Sequence, residues 1–128
     1  MAVGQFVFML HSHLPYYRKA GMWPFGEENL YECMAETYVP LLNAISELYD
    51  EGIKAKLTVG ITPILAEQLN DEHLKHGFVE YLDSRIKSVS KDLDRYPDEK
   101  VPHSQHLKYL AKYYFDWFSN TKDAFVNK

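Results

Sequence analysis

The sequence predicts an α/β fold, and three observations carry that prediction. Residues 6–10, FVFML, are an apolar run without alternation, the habit of a parallel-sheet strand covered on both faces. Residues 55–61 alternate Ala55, Leu57, Val59 and Ile61 with Lys56, Thr58 and Gly60, the period-two pattern of a second strand. Apolar residues at helical spacing fill the stretch between the two and most of the chain after them. Strand, helix, strand and further helices make one βαβ unit with helical additions.

The first strand is placed near residues 5–11, followed by a loop over 14–25 marked by Pro15, Gly21, Pro24 and then Gly26. A helix near 27–51 opens with Glu27 and Glu28, where its dipole favours acids. Leu30, Met34, Leu41, Ile45 and Leu48 form its apolar stripe, and Gly52 is a natural stop. Pro40 lies inside this pattern and should kink the helix or divide it. After the second strand, near 54–61, Thr62 and Pro63 read as N-cap and first position of a short helix over 63–69. Asn70 and Asp71 offer a new cap for a long helix over 71–95, with Leu74, Phe78, Leu82, Ile86, Val89 and Leu93 on one face. Residues 96–102 break the pattern. A last helix over 104–126 carries Leu107, Leu110, Tyr114, Trp117, Thr121 and Phe125 on one side.

The chain has 128 residues, enough for one domain with a core and too few for two. Two strands cannot cover their own edges, and the last residues run in a helical pattern without a capping glycine. The expectation is therefore the opening portion of a larger α/β protein. A net charge of −4, with cations scattered among acids, argues against a nucleic-acid or anionic-membrane surface. Cys33 is the only cysteine, which excludes an intrachain disulfide and fits a reducing, cytoplasmic setting. No apolar run approaches the length of a membrane span or a secretion signal.

In open α/β sheets and α/β barrels, chemistry gathers where strands end. There the sequence reads HSHLPYY. Residues two apart on an extended chain point the same way, so His11 and His13 share a face. Three readings stand open for them: metal ligands, a hydrogen-bonding and proton-handling pair facing a polar substrate, or structural imidazoles satisfied by backbone carbonyls. No third or fourth ligand stands at a recognisable spacing. The pairs His73/His76 and His103/His106 read as polar surface on helix faces.

The loop GMWPFGEE flanks a proline with Trp23 and Phe25, either to offer aromatic faces to a ligand or to pin the loop over a helix. The aromatics of the last helix, Tyr109, Tyr113, Tyr114, Trp117 and Phe118, are dense enough for carbohydrate stacking, although helical spacing is more often a sign of core. No acid follows a strand, so no catalytic carboxylate pair can be nominated. No phosphate-binding glycine loop or nucleophile elbow is present either.

The stretch FVFMLHSHLPYYRKAGMWPFGEENLYECMAETYVPLLNAI resembles the start of a family 57 glycoside hydrolase, most closely the 1,4-α-glucan branching enzymes of that family. The likeness continues through LTVGITPILAEQL and covers essentially the whole chain. The resemblance implies the opening βα units of a distorted (β/α)7 barrel with helical insertions, incomplete in this chain. It implies retaining transfer on α-1,4-glucan, with a glutamate nucleophile and an aspartate acid/base downstream, so these 128 residues alone are expected to be inactive. It implies that His11, His13, Tyr16, Trp23 and Phe25 meet the substrate, with the histidines at the donor sugar, Trp23 and Phe25 as nearby aromatics, and Pro15 and Tyr16 shaping the same loop. It implies no metal and no cofactor for catalysis, and shifts the weight from ligation to substrate contact. The alternatives are a related family 57 α-amylase or 4-α-glucanotransferase, or a non-catalytic module binding glucan or a protein. An isolated chain with uncovered strands is expected to self-associate.

Overall fold

The computed structural model describes residues 3–96 and 103–127. Its elements in order are β1 (Met9–Ser12), α1 (Glu27–Cys33), a π-helical turn (Met34–Tyr38), α2 (Val39–Asp50), β2 (Thr58–Ile61), α3 (Pro63–Asn70), α4 (Glu72–Arg95) and α5 (Ser104–Asn127). β1 and β2 pair in parallel, with Met9 opposite Thr58, Leu10 opposite Val59, His11 opposite Gly60 and Ser12 opposite Ile61.

Each helix boundary has a local cause. Pro40 has no N–H to offer the carbonyl four residues back, so it stands at the start of α2 and the helical path is divided just before it. The wider turn over Met34–Tyr38 takes up the mismatch, with the Val39 N–H bonding the Met34 carbonyl. Gly52, at φ +75, closes α2, and the Ile53 N–H returns to the Leu48 carbonyl. The Asp71 side chain accepts from the Leu74 N–H and caps α4. Thr62 stands at the N-cap of α3, yet its buried hydroxyl finds no partner. Its carbonyl starts the helix ladder through the Ala66 N–H, while Pro63 supplies a preset φ.

The core lies among the helices and not on the sheet. Leu30, Tyr31, Met34 and Ala35 meet Leu65 of α3 and Leu74, Phe78 and Leu82 of α4. Phe125 of α5 adds an edge-on contact to Phe78, at 4.9 Å between centroids and 87°. The Trp117 indole N–H donates to the Ala35 carbonyl at 3.1 Å, tying α5 to the π turn.

The strands correct the sequence reading. The first was expected over residues 5–11 with both faces covered; the ladder holds only Met9–Ser12, because β2 offers four partners. Before it, Phe6 is 89% exposed and Val7 and Phe8 also face solvent, as does Met9 at its first position. β2 is likewise shorter than the expected 54–61. The break expected over residues 96–102 lies, beyond Tyr96, outside the described residues.

Gly77 gives a test of this packing. A Cβ there would overlap the hydroxyl and ring of Tyr31, which is fully buried and held by Glu27. Alanine ordinarily gains about 1 kcal/mol over glycine inside a helix. Here the overlap dominates, and Gly77→Ala is expected to lower stability by about 1–3 kcal/mol. The measurement is the shift of the denaturation midpoint followed by circular dichroism.

Candidate functional site

The parallel register determines what faces what at the strand ends. Leu10 and Ser12 of β1 share a face with Val59 and Ile61 of β2, and this face turns to the helices. Ser12, Tyr38, Val59, Ile61, Leu65 and Leu69 line an apolar cavity of about 270 Å³ there. His11 and Met9 point to the opposite, open face. His13 continues that face, and the two imidazoles lie nearly parallel, 6.5 Å between centroids and 12° between planes. Gly60, opposite His11, is what makes room: a Cβ there would stand 3.3 Å from His11 Nδ1.

Residues 15–26 form the second part of the site, and backbone bonds hold them. The Glu27 N–H donates to the Gly21 carbonyl at 2.8 Å and the Glu28 N–H to the Met22 carbonyl at 3.2 Å. The first free amides of α1 thus close the base of a tight loop whose tip is Trp23, Pro24 and Phe25. The Trp23–Pro24 peptide is cis. Gly26 is obligatory at the base, since a Cβ would overlap the Gly21 carbonyl. Trp23 and Phe25 are 77% and 83% exposed, so the rings project outward while the backbone does the pinning.

Two side chains that the sequence reading passed over organise this loop. Gln68 of α3 is buried; its Oε1 accepts from the Tyr17 N–H at 2.6 Å and its Nε2 donates to the Pro15 carbonyl at 3.0 Å. The single amide therefore brackets Tyr16, whose ring is exposed. Glu27, only 6% exposed, accepts from the Lys19 N–H at 2.8 Å, the Tyr31 hydroxyl at 3.1 Å and His73 Nε2 at 3.0 Å. Burial pushes this carboxyl's pKa up, but the Lys19, His73 and Tyr31 donors outweigh it and hold the group below the usual carboxylate range. Arg18 adds a bond to Asp71 at 2.5 Å, on the cap of α4. His73 is thus tied to the loop and is not merely polar surface. The visible signal for Gln68 was a polar residue on the apolar face of α3, one turn from Leu65; Glu27 gave none, because the helix dipole already accounted for it.

Of the five residues expected to meet substrate, the structure brings His11 and His13 together on one face. It places Tyr16 on the Gln68-bracketed segment and Trp23 and Phe25 on the closed loop. Among the described residues, Trp23 and Phe25 stack on no other ring. Also among the described residues, no cluster of three or more His, Cys, Asp and Glu could hold a metal ion. Chemically the arrangement offers paired imidazole donors and acceptors at the strand end and exposed flat apolar faces on the loop that follows it.

The clamps have measurable signatures. An acid whose folded pKa lies below its ordinary value near 4.5 stabilises the fold fully above that value. It loses that contribution as pH falls through the lower folded value. Residues 17–27 should therefore loosen on acidification below pH 4.5, seen as amide exchange, and Glu27→Gln should flatten that dependence at a cost of about 1–3 kcal/mol. Gln68→Leu leaves the Tyr17 N–H and Pro15 carbonyl unpaired. It should speed exchange of the Tyr17 amide by roughly 10-fold or more with the helical core retained.

A family model for glycosyl hydrolase family 57 matches residues 7–125. The chain is 43% identical over 114 residues to a 1,4-alpha-glucan branching enzyme of Thermococcus kodakarensis, covering 89% of this chain and 17% of that protein. It superimposes on the crystal structure of that enzyme in complex with glucose and additives with a TM-score of 0.83 at 38% identity, over 94% of this chain and 20% of the other. The branching enzyme of Pyrococcus horikoshii gives a TM-score of 0.76 at 43% identity, over 91% of this chain and 22% of that one. The alpha-amylase AmyC of Thermotoga maritima gives 0.76 at 30% identity, over 94% and 22%. The chain thus spans about a fifth of the length of the proteins it matches. By the family model and these likenesses together, the chain belongs to glycosyl hydrolase family 57.

Proposed function

We propose that this chain is the N-terminal part of a cytoplasmic 1,4-α-glucan branching enzyme acting in glycogen-type glucan synthesis, and that its strand end forms the floor of the donor-sugar pocket. The observation that carries the reading is the pair of parallel imidazoles on the open face of β1, with Gly60 cleared beside them. The identity to branching enzymes supports the substrate class. In this reading β1 and β2 are two strands of a distorted (β/α)7 barrel, and the exposed Phe6, Val7, Phe8 and Met9 pack against its further elements. The same apolar exposure favours self-association of the isolated chain.

The reaction is a double displacement. A glutamate outside these residues attacks the anomeric carbon of the donor as the α-1,4 bond breaks, and an aspartate protonates the leaving 4-hydroxyl. The 6-hydroxyl of an acceptor glucan then displaces the glutamate, returning its proton to the aspartate and forming the α-1,6 branch. His11 and His13 donate to and accept from donor hydroxyls, and Trp23 and Phe25 cover an apolar sugar face. No metal or cofactor takes part.

The test uses the enzyme carrying this chain, or a chimera in which it replaces the matching segment of the Thermococcus kodakarensis enzyme. His11→Ala or His13→Ala should lower the branching rate by roughly 30- to 1000-fold, the effect of about 2–4 kcal/mol at the transition state, with the fold intact. Trp23→Ala should raise the Michaelis constant more than it lowers turnover. Chelators should leave the rate unchanged. Activity lost to chelation and restored by zinc would return the histidine pair to the ligand reading.

A further inference from the structure

The aromatic stripe of α5 is not core along its whole length. Tyr113 and Tyr114 are 46% and 48% exposed, and Tyr109 is more exposed still. Tyr113 lies over Trp117 at 5.9 Å and 27°, and Tyr114 over Phe118 at 6.1 Å and 25°, so residues four apart build two short stacks side by side. The half-buried indole of Trp117 is oriented by its bond to the Ala35 carbonyl in the π turn. Turns of this kind often mark functional sites.

Trp117 separates two surface hollows. One, of about 240 Å³, sets Glu36 of the π turn against Tyr113, Tyr114 and Phe118. The other, of about 290 Å³, sets Asn43 and Glu47 of α2 against Asn120 and Thr121 of α5. Neither hollow shares a residue with the histidine pair or the loop tipped by Trp23.

We infer that these two hollows, joined across Trp117, form a second binding site for a linear α-glucan. The chemistry of the walls selects the ligand. Carboxylates and no lining cation exclude phosphate or another anion. An alkyl chain would leave Glu36, Glu47 and Asn120 desolvated without compensation. A pyranose answers both demands, setting a flat C–H face on an aromatic ring and its hydroxyls toward carboxylate and amide groups. Two hollows on either side of one ring suit consecutive sugars of a chain. The choice of glucan over another sugar rests on the function proposed above; the site itself rests on the hollows and the stacks.

The two tryptophans of the chain separate this site from the strand end. In the 128-residue chain labelled with 5-fluorotryptophan, the Trp23 and Trp117 fluorine signals are assigned with Trp23→Phe. Titration with maltoheptaose should shift the Trp117 signal saturably, and Trp23→Phe should leave that shift in place. Tyr113→Ala should weaken the response about tenfold, the loss of one stacked face. Tyr113→Phe should keep it, with unchanged circular dichroism in both. Retention on cross-linked amylose, competed by free maltoheptaose, should follow the same order. A shift of Trp23 alone would overturn this inference while leaving the proposed function standing. A shift of Trp117 alone would support the second site and weaken the strand-end reading. No shift of Trp117, with no retention that depends on Tyr113, overturns the inference.

Discussion

The buried Glu27 carboxylate ties together parts that have no other reason to meet. Its three donors come from the loop after β1, from the next turn of its own helix and from the first turns of α4. A charge removed from water at this depth is tolerable only when such donors replace the lost hydration. Remove them and the carboxylate would have to reach solvent, taking the start of α1 away from Tyr31 and the core behind it. Gln68 performs the neutral counterpart from α3, with both ends of one amide satisfied by the backbone around Tyr16. The exposed aromatics of the loop are therefore carried on a rigid frame, which is what a recognition surface needs if binding is not to spend its energy on ordering the loop.

The faces of the sheet explain why the histidines are where they are. A four-residue parallel ladder has one face toward a hollow lined by α2 and α3 and one face open. The open face carries the polar His11 opposite a glycine, while the face toward the helices carries Leu10, Val59 and Ile61, the last two still exposed at the hollow. This division of one strand into a hollow side and an open side follows from the period of two alone. It also means that a change at Ser12 would be felt through Tyr38 and the apolar hollow and not at His11.

Much of the helical architecture was legible because it is governed by local rules. Pro40, Gly52 and Asp71 act through a missing donor, a positive φ and a side-chain acceptor, each visible in a single residue. The shared face of His11 and His13 was legible for the same reason. The strand limits were not, since a ladder ends where its partner ends, and that is a fact about residues about fifty positions away. The reach of Gln68 to Pro15 and of His73 to Glu27 was equally hidden, because spacing along the chain says nothing of which helix end meets which loop. For the α5 aromatics the stripe was visible, but its division into covered and uncovered rings depends on where α2 and the π turn pass.

The placement of the core also decides what holds the strand ends in register. β1 and β2 are separated by more than forty residues, so closing that ladder costs loop entropy that four residue pairs repay poorly. The contacts among the helices and the π turn hold the buried apolar cluster without using either strand. The core contacts also join distant residues, Tyr31 to Phe78 and Ala35 to Trp117, but they bury apolar area in return. The two strands are thus held in place by the helical body more than by their own ladder. The register of the imidazoles at their tips depends on helices far from them in sequence.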